Sequence, residues 1–118
     1  ENYVYPVLRP HEARDAAECA LSKVSETSAF LVLDWRALYS IYYVAHVEQG
    51  RTGIVIREAL PYPAKVITQT LQAEISEHIR NGEAVYVDDM YSALTGAYKM
   101  TVIAGCPNYR LFKLSLRS

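Results

Sequence analysis

His46 and Glu48 are the pair of side chains best suited by their spacing to acid–base chemistry. They follow Ser40 and Tyr42 at alternate positions of one run. If the run is a strand, alternate residues share a face, and an imidazole oriented by a carboxylate can take a proton from a hydroxyl. The pair matches no known catalytic motif, and a solvated strand end before a turn explains it more simply. His46 and Glu48 are therefore weak catalytic candidates.

Potential metal ligands are present, but they do not have the spacing of a known site. Asp88 and Asp89 end a predicted strand, where carboxylates can hold a divalent cation, but neighbours on a strand point to opposite faces. The three His and two Cys form neither Cys-x-x-Cys nor His-x-x-x-His. The sequence therefore predicts no metal and no cofactor.

The two cysteines, Cys19 and Cys106, are 87 positions apart in the chain. Cys19 falls beside the alanine-rich face of a predicted helix, which suits a buried thiol, and Cys106 precedes Pro107 in a predicted turn. A nucleophilic thiolate needs a nearby base or cation, and the neighbouring sequence supplies none. One disulfide is possible, but the dense framework of small secreted domains is absent. We expect reduced thiols and a cytoplasmic location.

Tyrosine dominates the aromatic composition, with ten Tyr against two Phe and one Trp. A tyrosine ring packs like an apolar group, but its hydroxyl needs water or a partner, so tyrosine is favoured at interfaces and pocket rims. High β propensity would give the same enrichment through packing alone. We expect a contact surface at Leu38, Tyr42 and Val44, or at an exposed loop pair, Met90 and Tyr91.

The charge balance argues against nucleic acid as a partner. The net charge is −1, and 12 basic residues are interleaved with 13 acidic ones. No apolar run approaches the ~20 residues that cross a bilayer, so no membrane segment is predicted. Glycine-rich phosphate loops are also absent. An anionic or nucleotide-like ligand would instead need aromatic walls together with arginines, for which the candidates are Arg9, Arg36, Arg51 and Arg57.

Two helices and a series of strands must position these residues. Apolar side chains three and four residues apart predict helices over His11–Val24 and Ala64–Arg80. The predicted strands are Asn2–Leu8, Ala29–Asp34, Ile54–Glu58, Ala84–Asp88, Ala97–Ala104 and Tyr109–Leu116.

The stretch Trp35–Glu48 fits both a helix and a strand. Asp34 could cap a helix, but the tyrosines and β-branched residues favour a strand that forms a long hairpin with Ile54–Glu58. The resulting order, β-α-β-β-β-α-β-β-β, predicts a single α+β domain over residues 1–118 with two helices on an antiparallel or mixed sheet. Tyr109–Leu116 would be an edge strand that could pair with a second copy.

This order is similar to that of small acyl-coenzyme A acyltransferases, and Leu8-Arg9-Pro10 followed by Asp15-Ala16-Ala17 resembles their N-terminal region. The resemblance implies a glycine-rich turn before the long helix to bind pyrophosphate. Here Leu60-Pro61-Tyr62-Pro63-Ala64 occupies that place, and proline removes the N–H donors that phosphate needs. The chain is therefore not assigned to the family, and a degenerate relative would lack the activity.

The sequence contains no complete catalytic set. We therefore expect a non-catalytic interaction protein of the inhibitor, immunity or adaptor type, which binds a protein partner or a second copy through a tyrosine-rich sheet face or loop. The alternative is a small-molecule-binding protein or small enzyme with a Tyr/Arg-lined pocket for a nucleotide-like or anionic ligand.

Overall fold

The computed structural model describes residues 9–59, 67–103, 105–106 and 110–117, apart from the side chains of residues 35 and 36. They form a small α+β domain with a five-stranded mixed sheet and helices on both faces. The elements in chain order are α1 (Pro10–Ser22), β1 (Ala29–Leu33), α2 (Trp35–Tyr42), a π-helix (Tyr43–Glu48), β2 (Ile54–Glu58), α3 (Gln69–Arg80), β3 (Ala84–Val87), α4 (Ser92–Thr95), β4 (Tyr98–Ile103) and β5 (Leu111–Leu116).

The strands lie in the order β2-β1-β3-β5-β4. β1 is parallel to β2 and β3, whereas β5 is antiparallel to β3 and β4. All five residues of β1 are buried, as expected for a central parallel strand covered on both faces. Because β2 and β3 lie on opposite sides of β1, the direction of winding reverses between β1 and β3. That reversal marks the sheet edge where open α/β folds place ligands.

Alternate residues of β1 point into two separate cores. Leu31 and Leu33 pack beneath α1, α2 and the π-helix. Phe30 and Val32 pack against α3 on the opposite face. Most of the small residues predicted to bring α1 close to the sheet are buried, and so is most of the apolar row of α3. The buried residues of these two helices are Ala16, Ala17, Ala20, Leu21, Leu71 and Ile75.

The hairpin prediction for Trp35–Glu48 is wrong, because the segment is helical. β1 and β2 are parallel neighbours, and a parallel pair requires a crossover connection, usually a helix. The sheet-facing side of this helix follows helical spacing, through Ala37, Ile41, Val44 and Ala45. The tyrosines that favoured a strand by propensity lie on the opposite, solvent side.

Other differences follow from this topology. The described residues form four α-helices rather than two, since α2 and the short α4 were not predicted. β5 lies between β3 and β4. The prediction that Tyr109–Leu116 is an edge strand is therefore wrong. The acyltransferase-like order needed consecutive strands where α2 and the π-helix occur. The predicted strand Asn2–Leu8 and the proline-containing segment 60–66 lie outside the described residues.

A disulfide links Cys19 of α1 to Cys106, between β4 and β5. The two Cα atoms are 5.7 Å apart, within the usual range for disulfides. The structure therefore differs from the expectation of two reduced thiols. Their sequence separation of 87 hid the pairing, because only the packing of α1 on the sheet brings them together.

Candidate functional site

Three tyrosines and a valine stand exposed on one continuous helical segment, formed by α2 and the π-helix. The exposed fractions are 68% for Tyr39, 50% for Tyr42, 52% for Tyr43 and 59% for Val47. Their spacings of three and four residues place them on one helix surface. We call these four residues the tyrosine face. Exposed apolar side chains grouped in this way are typical of an interaction surface.

The tyrosine face rests on a firmly packed helix. The residues on the opposite side, Ala37, Ile41, Val44 and Ala45, are at most 1% exposed. The π-helix has wide turns, with the Gln49 N–H donating to the Val44 carbonyl at 2.9 Å. π-helical turns are uncommon and occur frequently at functional sites. The rings therefore stand on a rigid support rather than on a loop.

A groove separates this segment from α1. Its volume is about 350 Å³, at the lower end of the range for small-molecule sites. The lining residues are Pro10, Ala13 and Arg14 from α1, and Tyr39, Ser40, Tyr43 and Val44 from α2 and the π-helix. Tyr39 and Tyr43 thus belong to both the groove and the tyrosine face.

Arg14 at the groove is held by two carboxylates. Its Nε lies 3.0 Å from both Glu48 carboxylate oxygens, and a terminal nitrogen lies 3.3 Å from Glu18. The hydrogen bond to Glu48, followed by the charge of Glu18, raises the pKa of Arg14. Two carboxylates against one guanidinium leave this cluster with a net negative charge.

A second polar cluster lies where β1 and β3 end, at the reversal of winding. Asp34 and Asp88 are 0% and 2% exposed. The Asp34 N–H donates to one Asp88 oxygen at 2.7 Å, and the Tyr91 hydroxyl donates to the other at 2.7 Å. Burial, followed by the adjacent Asp88 charge, raises the pKa of Tyr91, so its hydroxyl remains a donor. Asp88 thereby ties the start of α2 to the loop after β3.

The two carboxylates of the predicted Asp88-Asp89 pair make separate contacts. Across residues 9–59, 67–103, 105–106 and 110–117, no three His, Cys, Asp or Glu side chains are placed to share an ion. Asp89, the second residue of the predicted pair, lies 3.5 Å from Arg110.

The weak catalytic candidates His46 and Glu48 make different contacts. The His46 ring stacks on Tyr42 with centroids 4.8 Å apart, whereas Glu48 accepts from Arg14. On a π-helix these two residues are not aligned as they would be on a strand. The contacts of His46 and Glu48 within the described residues therefore form no oriented acid–base pair.

The predicted binding residues separate into exposed and structural groups. Tyr42 and Met90 are about half exposed, whereas Val44 and Tyr91 are buried at 1% and 4%. The expectation of an exposed Met90-Tyr91 pair is thus correct for Met90 only. Val44 contributes to the groove lining but offers little area to a partner.

Two of the four candidate arginines, Arg51 and Arg57, do not join Tyr42 in one site. Arg51 donates to the backbone carbonyls of Leu21, Val24 and Glu26, which fixes the chain after α1. Arg57 lies 3.6 Å from Glu74 of α3, on the opposite side of the sheet from the tyrosine face.

Strand alternation hid the membership of the tyrosine face. It placed Tyr39, Tyr43 and Val47 on one side and Tyr42 on the other. Helical spacing is the sequence signal that unites them, and it was present in the buried row from Ala37 to Ala45.

Comparisons with protein-family models, curated proteins and solved structures give no match to this chain. Within the part of the chain that the structure describes, no helix is long and apolar enough to cross a bilayer.

Proposed function

We propose that this chain is a non-catalytic binding protein that docks a protein partner through the tyrosine face. The supporting observation is that three tyrosine rings are exposed on one helical segment whose opposite side is buried. Tyrosine supplies a large, amphipathic contact area at low conformational cost and is enriched among the residues that dominate binding energy. An inhibitor, immunity or adaptor role fits a surface that binds without catalysing.

The size of the tyrosine face suits the centre of an interface. With roughly 200 Å² available per tyrosine, the exposed fractions of the three rings correspond to about 350 Å². The largest apolar patches on monomers are about 300–600 Å² and are often functional. A standard interface buries about 800 Å² per partner, so neighbouring polar residues would form the rim. A second copy of the chain is the other possible occupant of the face.

A photo-crosslinking experiment tests the docking face directly. We would place p-benzoylphenylalanine at Tyr43 and, as a matched exposed control, at Lys99 of β4, then irradiate each protein in an extract of its source cells. We expect a discrete crosslinked product from position 43 and none at position 99. Equal products from both positions, or none from either, would contradict the proposal.

The groove supports a second candidate, which is a site for a small anionic or nucleotide-like ligand that takes the place of Glu18 or Glu48 on Arg14. The observation favouring it is a volume of about 350 Å³ lined by Tyr39, Tyr43 and Arg14. Native mass spectrometry of the purified protein tests it. A bound mass of a few hundred daltons that disappears in Tyr43→Ala would favour the ligand, whereas a bare protein would count against it.

A cytoplasmic location remains a prediction from the sequence. The Cys19–Cys106 bridge favours an oxidising compartment instead, because reducing systems keep cytosolic thiols free. Alkylation of the protein under native cell lysis, followed by mass measurement, distinguishes a bridged pair from two labelled thiols.

A further inference from the structure

The charge beside the tyrosine face is negative and accessible. Arg14, Glu18 and Glu48 have side chains that are 52%, 42% and 25% exposed. Glu48 binds Arg14 with both oxygens, and Glu18 binds it one helical turn away. The single guanidinium is therefore outnumbered, and the Arg14–Glu18–Glu48 cluster carries a net negative charge beside the groove, which Arg14 itself lines.

The tyrosine rings add attraction for the same type of group. The face of an aromatic ring carries partial negative charge and attracts an ammonium or guanidinium within about 6 Å of its centroid. Tyr39 and Tyr43 line the groove beside Arg14, and Tyr42 lies next to them in the helix. Rings and carboxylates together form a surface that suits a long cationic side chain, whose apolar stem packs on the rings.

We propose that the partner docked on the tyrosine face presents a basic amphipathic helix, with its apolar residues on the rings and a Lys or Arg at Glu48 and Glu18. The inference rests on the proposed function and names the chemistry of the partner. Apolar anchors three and four residues apart on such a helix match the spacing of Tyr39, Tyr43 and Val47. Opposite charges across the boundary would set its orientation and increase its association rate.

The same charge argues against a second copy as the occupant. A two-fold interface pairs the same surface patch from both copies. The negatively charged clusters of the two copies would therefore lie in one interface. Like charges brought together across an interface are unfavourable. A heterologous basic partner removes this repulsion.

A pair of helical peptides tests the inference. The probe is an 18-residue amphipathic peptide of Leu and Lys, and its control carries Glu in place of every Lys. Fluorescence anisotropy should show saturable binding of the Leu/Lys peptide only, and this binding should weaken with added salt. Tyr43→Ala should weaken it about tenfold, a typical loss for one central interface residue. Val102→Ala, which truncates an exposed side chain on β4, should leave it unchanged.

The role of the carboxylates is tested by two variants with the same change in net charge. Glu48→Gln should weaken binding of the Leu/Lys peptide several-fold. Glu77→Gln, an exposed residue of α3 on the opposite side of the sheet, should not. Circular dichroism verifies that each variant is folded.

Several results would overturn the inference. These are equal binding of the two peptides, no saturable binding, or equal effects of Glu48→Gln and Glu77→Gln. A dimer in sedimentation equilibrium that Tyr43→Ala dissociates would identify a second copy as the occupant and overturn it as well. If the peptides fail but the crosslinker at position 43 still captures a different protein, the docking face stands and only the basic partner is wrong. If both fail, the proposed function fails with it.

Discussion

Removing the Cys19–Cys106 bridge should cause a large loss of stability. The bridge closes a loop with a sequence separation of 87, and the chain-entropy model gives about 4.6 kcal/mol at 25 °C for a loop of this size. Measured losses on removing native disulfides are about 2–5 kcal/mol. For 118 residues, each kcal/mol corresponds to about 4 °C in Tm. The double variant Cys19→Ala/Cys106→Ala should therefore unfold roughly 8–18 °C lower.

The assay is thermal and urea unfolding followed by circular dichroism, with and without reductant. The wild-type protein should lose stability on reduction, whereas the double variant should be insensitive to reductant. Alkylation and mass measurement establish the thiol state in each sample. A loss below about 1 kcal/mol, well under the range for native disulfides, would refute the reasoning. So would an equal response of both proteins to reductant, because the bridge would then not constrain the unfolded chain.

Three further predictions concern hydrogen bonds and packing in the domain, two of them with a matched control substitution. Tyr91→Phe removes the hydroxyl that donates to buried Asp88 and should cost about 1–3 kcal/mol of unfolding free energy, whereas Tyr39→Phe on the exposed face should stay within about 0.5 kcal/mol, both by urea titration. Gly53→Ala would place a Cβ 2.2 Å from the Thr27 carbonyl oxygen and should cost about 1–3 kcal/mol of unfolding free energy. At Gly96 an added Cβ would meet no atom within 4 Å, so Gly96→Ala should unfold at a higher urea concentration than Gly53→Ala in the same titration. Burial acts to raise the pKa of Glu26, but hydrogen bonds from Lys113 and Tyr86 outweigh it, and the pKa is lowered. The ionised carboxylate of Glu26 therefore stabilises the fold above its unfolded pKa of about 4.3, and this stabilisation is lost as the pH falls through the folded pKa. Glu26→Gln should consequently flatten the curve of unfolding free energy against pH below about pH 5. An unchanged slope would contradict the assignment.

Local patterns predicted most of the described elements of this fold. Rows of apolar residues located α1 and all of α3, although the predicted helix also included residues 67 and 68, which precede α3. Short apolar runs located β1, β2 and β3 to within about one residue. These sequence patterns arise because the side chains on one side of an element face a core. They can therefore be recognised without knowing how the strands are ordered in the sheet.

The segment from residue 35 to residue 48 shows where local patterns fail. Ile41 and Ala45 fit both an inward strand face and a helical row, so periodicity did not decide between them. The tyrosines then favoured a strand through propensity, which tertiary context often overrides. The parallel pairing of β1 with β2 is a contact between strands that are distant in sequence. It is this pairing that requires a crossover connection, here a helix.

The same reason limited prediction of the site. Tyrosine excess indicated a contact surface, but grouping its members required the correct period. Contacts such as Tyr91 with Asp88 depended on how the loop after β3 folds back. The pairing of Cys19 with Cys106 likewise required the placement of α1 on the sheet.

The wide turns between Tyr43 and Glu48 make the tyrosine face sensitive to the length of this segment as well as to its composition. In an α-helix each residue advances about 100° around the axis, and in the wider turns of a π-helix somewhat less. Deleting or inserting one residue between Tyr43 and Val47 would therefore rotate Val47 by a large part of a quarter turn or more relative to the three rings. The chemical composition of the segment would hardly change, yet the continuous surface would divide into two smaller ones. Variants with a one-residue change in length would thus present a different outer surface while retaining every tyrosine.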